Sequence, residues 1–470
     1  MKKFDLNIEN VLEDWEVHHA IRELIANAID ESIITDSEKM RIEKNLEGNW
    51  EIIDCGRGID ISHFTQKENE EKRNHPHLIG RFGVGLKDAL ATFDRRNIDI
   101  VIDSKYGRFT LDKSSKNGFT DIETLHVAIN ESIDQQMVGT KITLSGCTES
   151  DIKNAKSLFI DFCNNEVIES TEYGSIIKNS GEDSSFIFIN GVKVAEEPDF
   201  IFSYNITNLT KQIKKQLNRE RTNVGRSAYS NRIKDILVSS KSEIVHEILM
   251  DEFNRDTSDL KVELTWNDVA LQAIKHLNSS DKYVFGTQSE NLQLDGDIRD
   301  IVNEGRKFVF IPERLKERLN EEFDAVGNEI TTISTALKEY NDGFNYTFIN
   351  SKNLTSKQKS IYQLKREVCK YFDADFYFNR IKISKNLHAS ENGRQTLGFY
   401  DATEDIIVIK ECQLDSKAKF LGTLIHELVH AKTGLNDVTR DFETELTHVI
   451  GKVSADLFNE KESLLKRILK

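Results

Sequence analysis

Ile21-Arg22-Glu23-Leu24-Ile25-Ala26-Asn27-Ala28-Ile29-Asp30-Glu31 is the stretch on which the reading of this chain turns. Its apolar positions Ile21, Leu24, Ile25, Ala28 and Ile29 recur at helical spacing and predict an amphipathic helix. Glu23, Asn27 and Asp30 follow one another at intervals of four and three, so they share a single polar face. Such a helix alone carries no function, but two glycine-bearing segments lie downstream. Asp54-Cys55-Gly56-Arg57-Gly58 ends a strand-like run with a carboxylate and two glycines, which lets backbone approach a flat ligand closely. Gly80-Arg81-Phe82-Gly83-Val84-Gly85-Leu86-Lys87 precedes a helix, and its glycines suit backbone N–H groups aimed at phosphate.

That last segment is not a Walker A loop, because Leu86 stands where lysine is required and Lys87 where serine or threonine is required. Nor does it fit the Rossmann G-x-G-x-x-G spacing. The order and spacing of the three segments, followed by Gly139-Thr140-Lys141-Ile142-Thr143-Leu144, resemble the GHKL (Bergerat-fold) ATPases, most closely the heat-shock chaperone and MutL branch. The likeness extends over residues 15–145. It implies that Glu23 polarises the attacking water and that Asn27 holds Mg²⁺ on the phosphates of ATP. It further implies that Asp54 accepts the adenine amino group, with Thr140 assisting through water. Gly56 and Gly58 then admit the base, and Gly80, Gly83 and Gly85 wrap the phosphates. Asp30, Leu86 and Lys87 complete the expected nucleotide-binding set, and polar residues 59–79 form a lid. Phosphoryl transfer suits such a site, since it needs positioning and charge neutralisation more than covalent chemistry.

Residues 211–235 carry eight Lys/Arg against two acidic residues, a local +6 within a chain of net charge −16. ATPases of this kind pass their signal to a following domain that lends a basic residue to the γ-phosphate, and Arg219 and Arg221 are the candidates. A nucleic-acid surface is the competing reading, not favoured because only Tyr229 interleaves the cations.

A second motif lies near the C-terminus. Leu424-Ile425-His426-Glu427-Leu428-Val429-His430 contains H-E-x-x-H in an apolar helical run. The two histidines are one turn apart on one face, where they can clasp one Zn²⁺, and Glu427 can reach the water that the metal activates. A strand over 405–410 upstream and a helix over 438–458 downstream resemble the gluzincin peptidases over residues 395–458. The resemblance implies a helical glutamate as third ligand, and Glu443 is chosen over Glu445, which points to the opposite side. Asp437 and His448 are weaker alternatives: Gly434 falls one place too late for the H-x-x-G-x-x-D pattern of the metzincins. A substrate peptide is expected to lie along Ile406–Ile409.

Working outward, 470 residues exceed a single core, and the composition (38% hydrophobic, 30% charged, mean hydropathy −0.48) is that of a globular chain. No apolar run approaches the ~18 residues that span a bilayer, and the first turnover of charge after Lys2 and Lys3 is acidic, unlike a signal peptide. Five scattered cysteines without a C-x-x-C predict reduced thiols and a cytoplasmic protein. The expected fold class is α+β multidomain. A Bergerat α/β sandwich would occupy residues 1–164, an α/β transducer-like domain 165–255, an α/β connecting region of unknown role 256–350, and a zincin-like α+β domain 351–470. Residues 1–46 read as helical. The function expected is an ATP-regulated zinc peptidase acting on protein or peptide, with ATP, Mg²⁺ and Zn²⁺ as cofactors, an ATP-dependent homodimer and no membrane. The alternative is a MutL- or MORC-like clamp on DNA or protein with a structural zinc.

Overall fold

The computed structural model describes residues 2–6, 14–65, 75, 78–80, 85–116, 119–164, 166–179, 184–217, 224–255, 261–294, 299, 302, 305–319, 322–390 and 396–468. The chain divides into two compact units, Met1–Ala273 and Ile274–Lys470, both mixing helices with sheets; the sheets are mainly antiparallel in the first unit and mixed in the second.

The first unit opens with a seven-stranded, wholly antiparallel sheet. Its strands are β1 (Lys2–Asp5), β2 (Arg41–Lys44), β3 (Trp50–Asp54), β4 (Asp99–Ser104), β5 (Gly107–Lys116), β6 (Phe119–Asn130) and β7 (Thr140–Ser145). They lie in the order β1-β6-β5-β4-β7-β3-β2. Helices α1 (Val17–Thr35), α2 (Gly85–Arg95) and α3 (Glu149–Lys156) pack together, with α1 also against β3. Ile21, Leu24, Ile25 and Ala28 of α1 join Ala89, Leu90 and Phe93 of α2 and Ile52, Ile100 and Leu144 of the sheet in one core. The apolar stripe thus does what its period demands, burying one side and leaving the polar positions to the site.

The expectation of helix throughout residues 1–46 is corrected at both ends. Lys2–Asp5 is a strand paired with His126–Ile129 of β6, and Arg41–Lys44 is an edge strand on β3. A four-residue strand has no measurable period, so its partner decides its conformation.

A second sheet in the same unit has the order β11-β10-β12-β9-β8, from β8 (Val167–Ser170), β9 (Gly174–Ile177), β10 (Ser185–Ile189), β11 (Val192–Glu197) and β12 (Ser203–Ile206). Helix α4 (Arg226–Val238) packs on β9 and β12. Glu263 pins this region from within. Its Oε1 accepts the N–H groups of Ile201 (2.8 Å) and Phe202 (3.3 Å) and the Tyr204 hydroxyl (2.9 Å), while Oε2 is buried without a hydrogen bond. Burial pushes its pKa up to about 7.

The second unit holds a parallel pair, β13 (Tyr283–Gly286) with β14 (Lys307–Phe310), and a three-stranded sheet of β15 (Ile381–Ser384), β16 (Gly398–Asp401) and β17 (Ile406–Lys410). The order is β15-β17-β16, with β17 parallel to β15 and antiparallel to β16. Helix α5 (Lys417–Thr433) packs on β16 and β17, and α6 (Arg440–Ile468) follows it. All five cysteines are free thiols, and no helix among the described residues is long and apolar enough to cross a membrane.

Candidate functional site

Helix α1 is the spine of the N-terminal site. Two of its carboxylates, Asp30 and Glu31, hold glycine-bearing backbone, and a third, Glu23, lies against it. Glu23, 3% exposed, has Oε1 on the Arg22 guanidinium (Nε at 3.1 Å, Nη2 at 3.0 Å). Its Oε2 lies so close to Gly85 that a Cβ there would stand 2.2 Å away. Asp30, fully buried, accepts the N–H of Ile79 at 2.6 Å and of Gly80 at 2.7 Å. Glu31 accepts the N–H of Arg57 at 3.0 Å and pairs with its side chain at 2.8 and 3.1 Å, which fixes the loop after Asp54. The sequence reading missed Glu31; the signal was an arginine between two glycines with a carboxylate on the facing helix.

Asp54 ends β3 opposite Thr140 of β7. Its Oδ1 accepts the N–H of Gly56 at 2.9 Å and of Thr140 at 3.2 Å. Burial raises the pKa of the carboxyl, against those two hydrogen bonds, which lower it. The two glycine turns meet backbone to backbone. A Cβ on Gly139 (φ +78°) would be 1.9 Å from the Asp54 carbonyl oxygen, and one on Gly58 (φ +88°) would be 3.0 Å from the Gly139 oxygen. No side chain fits there, so these glycines are required by space as well as by φ.

Among the expected positions, the structure therefore brings Glu23 to Gly85, Asp30 to Gly80, and Asp54 to Gly56 and Thr140. Asn27 lies half-buried one turn along from Glu23. The side chains of Leu86 and Lys87 do not join this group. Leu86 packs into the core, and the Lys87 ammonium points to the Leu6 carbonyl at 3.4 Å, beside the Phe4 ring. Gly83, Arg219 and Arg221, and most of the expected lid, lie outside the described residues.

In the second unit, α5 carries the H-E-x-x-H residues. The Nε2 atoms of His426 and His430 face each other at 3.2 Å, and Asp437 Oδ1 stands 3.1 Å from the first and 3.2 Å from the second. His430 Nδ1 lies 2.7 Å from the Leu435 carbonyl, a contact that would orient the ring and leave Nε2 to face a metal. These three atoms could hold a cation between them. A tetrahedral ion with bonds of ~2.0–2.1 Å separates its ligands by about 3.3 Å, so the donor set fits Zn²⁺.

The carboxylate that meets the two histidines is Asp437; Glu443, the expected third ligand, is exposed and lies outside this cluster. Gly434 ends α5 in the left-handed conformation (φ +68°), and Val438 is also left-handed (φ +60°) although β-branched. Together these turns fold Asp437 back over the histidines. The spacing Gly434-x-x-Asp437 was the signal; the pattern is displaced by one residue as a whole. What α6 contributes is Phe442, stacked on His430 with ring centres 4.2 Å apart and edge-on to His426 at 4.9 Å.

Glu427 is 6% exposed, and burial first, then the Asp437 charge, push its pKa up to about 8. The Tyr400 backbone N–H donates to it. A Cβ on Gly398 would be 2.8 Å from Glu427 Oε1, so β16 runs directly past this carboxylate. The expectation that substrate lies along Ile406–Ile409 is corrected here. Those residues form the central strand, paired on both sides, whereas β16 has one described neighbour. The Lys410–Leu397 hydrogen bond (2.9 Å) sets the phase of the β16–β17 ladder, which turns the backbone groups of Gly398 and Tyr400 toward the open side.

Residues 150–243 match the family described as Mycoplasma pneumoniae MPN635 N-terminal domain. An uncharacterized protein of Mycoplasma pneumoniae (strain ATCC 29342 / M129 / Subtype 1) is 39% identical over 247 residues, which cover 51% of this chain and 98% of that protein. A second uncharacterized protein of the same organism is 24% identical over 341 residues, covering 66% of this chain and 94% of its own length. Among solved structures, the ATPase region of Saccharomyces cerevisiae topoisomerase II is matched at 12% identity and TM-score 0.26, covering 38% of this chain and 62% of that one. The 43K ATPase domain of Thermus thermophilus gyrase B, in complex with an aminocoumarin, is matched at 13% identity and TM-score 0.20, covering 37% and 61%.

Proposed function

This chain belongs to the family of the Mycoplasma pneumoniae protein that it covers almost end to end, and we propose that it binds and hydrolyses ATP to regulate a zinc-dependent peptidase on the same chain. The observation that carries the ATPase reading is the convergence of Glu23, Asp30 and Glu31 of one helix on the two glycine segments, with Asp54 and Thr140 between them. Asp54 would accept from the adenine amino group, and the Gly58–Gly139 contact would leave a flat slot for the ring. Glu23 would take a proton from the water that attacks the γ-phosphorus as the bridging oxygen departs. Mg²⁺ held by Asn27 would neutralise the phosphate charge. Gly83, Arg219 and Arg221 would line the phosphates in the closed state, which we infer to be a homodimer.

The peptidase reading rests on the His426–His430–Asp437 triangle beside buried Glu427. When bound there, Zn²⁺ would supply Lewis-acid polarisation of a carbonyl and of water. Glu427 would accept the proton of the attacking water and return it to the leaving amine. The open side of β16 would hold the substrate backbone in extended form. In this reading residues 1–164 are the ATPase, 165–255 the transducer, 256–350 a connecting region and 351–470 the peptidase, all in the cytoplasm. The clamp alternative drew on the basic segment 211–235, and three of its eight cations are engaged internally. Arg226 pairs with Glu197 and Asp199, Arg232 with Asp235, and Lys234 lies over Trp266.

The test is cleavage of an unfolded reporter protein by the zinc-loaded chain, with and without ATP. Cleavage should depend on ATP and vanish in Glu427→Gln with zinc retained. Cleavage that persists in Glu427→Gln ends the peptidase reading, and ATP turnover that persists in Glu23→Ala ends the assigned base.

A further inference from the structure

The turn joining β10 to β11 is Asn190-Gly191, with both residues left-handed (φ +48° and +82°), the conformation that a two-residue hairpin favours. It is fixed from several directions. The Asn190 N–H donates to the Ile206 carbonyl at 3.0 Å, the Gly191 N–H to Asn205 Oδ1 at 2.9 Å, and the Gly191 carbonyl accepts from the Ile160 N–H at 2.9 Å. From this held position the Asn190 side chain crosses to the first sheet's territory, where Nδ2 donates to the Leu78 carbonyl at 3.2 Å. Leu78 is 1% exposed and immediately precedes Ile79 and Gly80, whose amides Asp30 holds.

One short backbone segment is therefore gripped by two elements at once. Helix α1 takes its amides, and the second sheet takes the carbonyl just before them. If the glycine segment reshapes around phosphate, both grips cannot keep their present geometry unless the second sheet follows. We propose that Asn190 is a positioning residue that couples the conformation of residues 78–80 to the second sheet, and so carries the nucleotide state out of the ATPase domain. The proposal rests on the ATP-binding reading above. By linkage, the coupling is reciprocal: whatever shifts the second sheet must change affinity at the nucleotide site by the same factor.

Asn190→Gly keeps a residue suited to φ +48° and removes the donor, so the full-length chain should fold and melt within about 2–4 °C of the parent. The probe is a non-hydrolysable ATP analogue, with binding measured by calorimetry and backbone hydrogen exchange followed over residues 185–206. In the parent protein the analogue should slow exchange there. In Asn190→Gly that protection should disappear and the KM for ATP should shift by up to about fivefold, the most that one neutral hydrogen bond can couple. Asn190→Asp, which keeps the turn but cannot donate, should behave in the same way, and it replaces the glycine variant if that one melts early. Full protection and parent KM in both variants overturn the proposal. An analogue that binds without altering exchange at 185–206 in the parent also overturns it, leaving the ATP reading intact. An analogue that fails to bind removes the ATP reading and the coupling with it.

Discussion

Glu23 and Gly85 occupy each other's space: the Glu23 Oε2 atom sits where the first side-chain carbon of any other residue at position 85 would be. The obstacle is the far end of a flexible side chain, so Gly85→Ala should displace the carboxylate without breaking the fold. Gly85 is the first residue of α2, where the helix-interior penalty of glycine does not apply and the exchange should be nearly neutral for the helix. The variant should melt close to the parent, yet release phosphate from ATP at least about tenfold more slowly. Unchanged turnover would separate this carboxylate from the chemistry.

Asp30 is buried and acts through backbone rather than through a ligand. Asp30→Asn turns one acceptor oxygen into a donor facing an N–H and loses a charge-assisted hydrogen bond of about 1.5–3 kcal/mol. ATP affinity, read by calorimetry, should fall about tenfold or more, accompanied by a lower melting temperature. A variant that melts early but binds ATP normally would make the clamp on residues 79–80 irrelevant to the site.

Metal content discriminates between Asp437, beside the histidines, and Glu443 on α6. After dialysis against trace zinc, Asp437→Ala should lose most of its metal by elemental analysis, while Glu443→Ala should retain one ion per chain. The reverse result would mean that α6, rather than the turn after α5, supplies the third donor.

Glu263 predicts a pH dependence of stability. Its pKa of about 7 when folded lies above the ordinary carboxyl value, so the folded chain binds more protons than the unfolded one between those limits. Its contribution is therefore fully present below pH ~4.5, declines as pH rises toward 7, and levels off above that, a change of about 3 kcal/mol. Glu263→Gln should flatten that part of the profile in denaturant titrations of the first unit. An unchanged slope would show that the carboxyl ionises without penalty.

The parts of the site that were legible in the sequence are those governed by local period or by glycine. Glu23, Asn27 and Asp30 share a face because a helix has 3.6 residues per turn, and Gly58 and Gly139 mark turns that no side chain can enter. What was not legible depends on distant partners. Lys2–Asp5 is a strand only because β6 is there to pair with it. Asp437 reaches the histidines through two left-handed turns, which a register count along the helix cannot see. Ile406–Ile409 does carry the mark of its place in the sheet. An unbroken apolar run marks a strand buried on both faces, hence a central one, while the open strand is the glycine-containing β16.

The pairing of Asp54 with Thr140 joins residues 86 positions apart, and neither the adenine acceptor nor its supporting amide exists until that ladder closes. Ordering so long a loop is slow compared with forming α1, so a refolding chain should be helical well before it can recognise a nucleotide. A fluorescent ATP analogue would then serve as a clock for closure of the sheet. Saturating nucleotide, which binds only the closed form, would hold the two strands together and slow their separation.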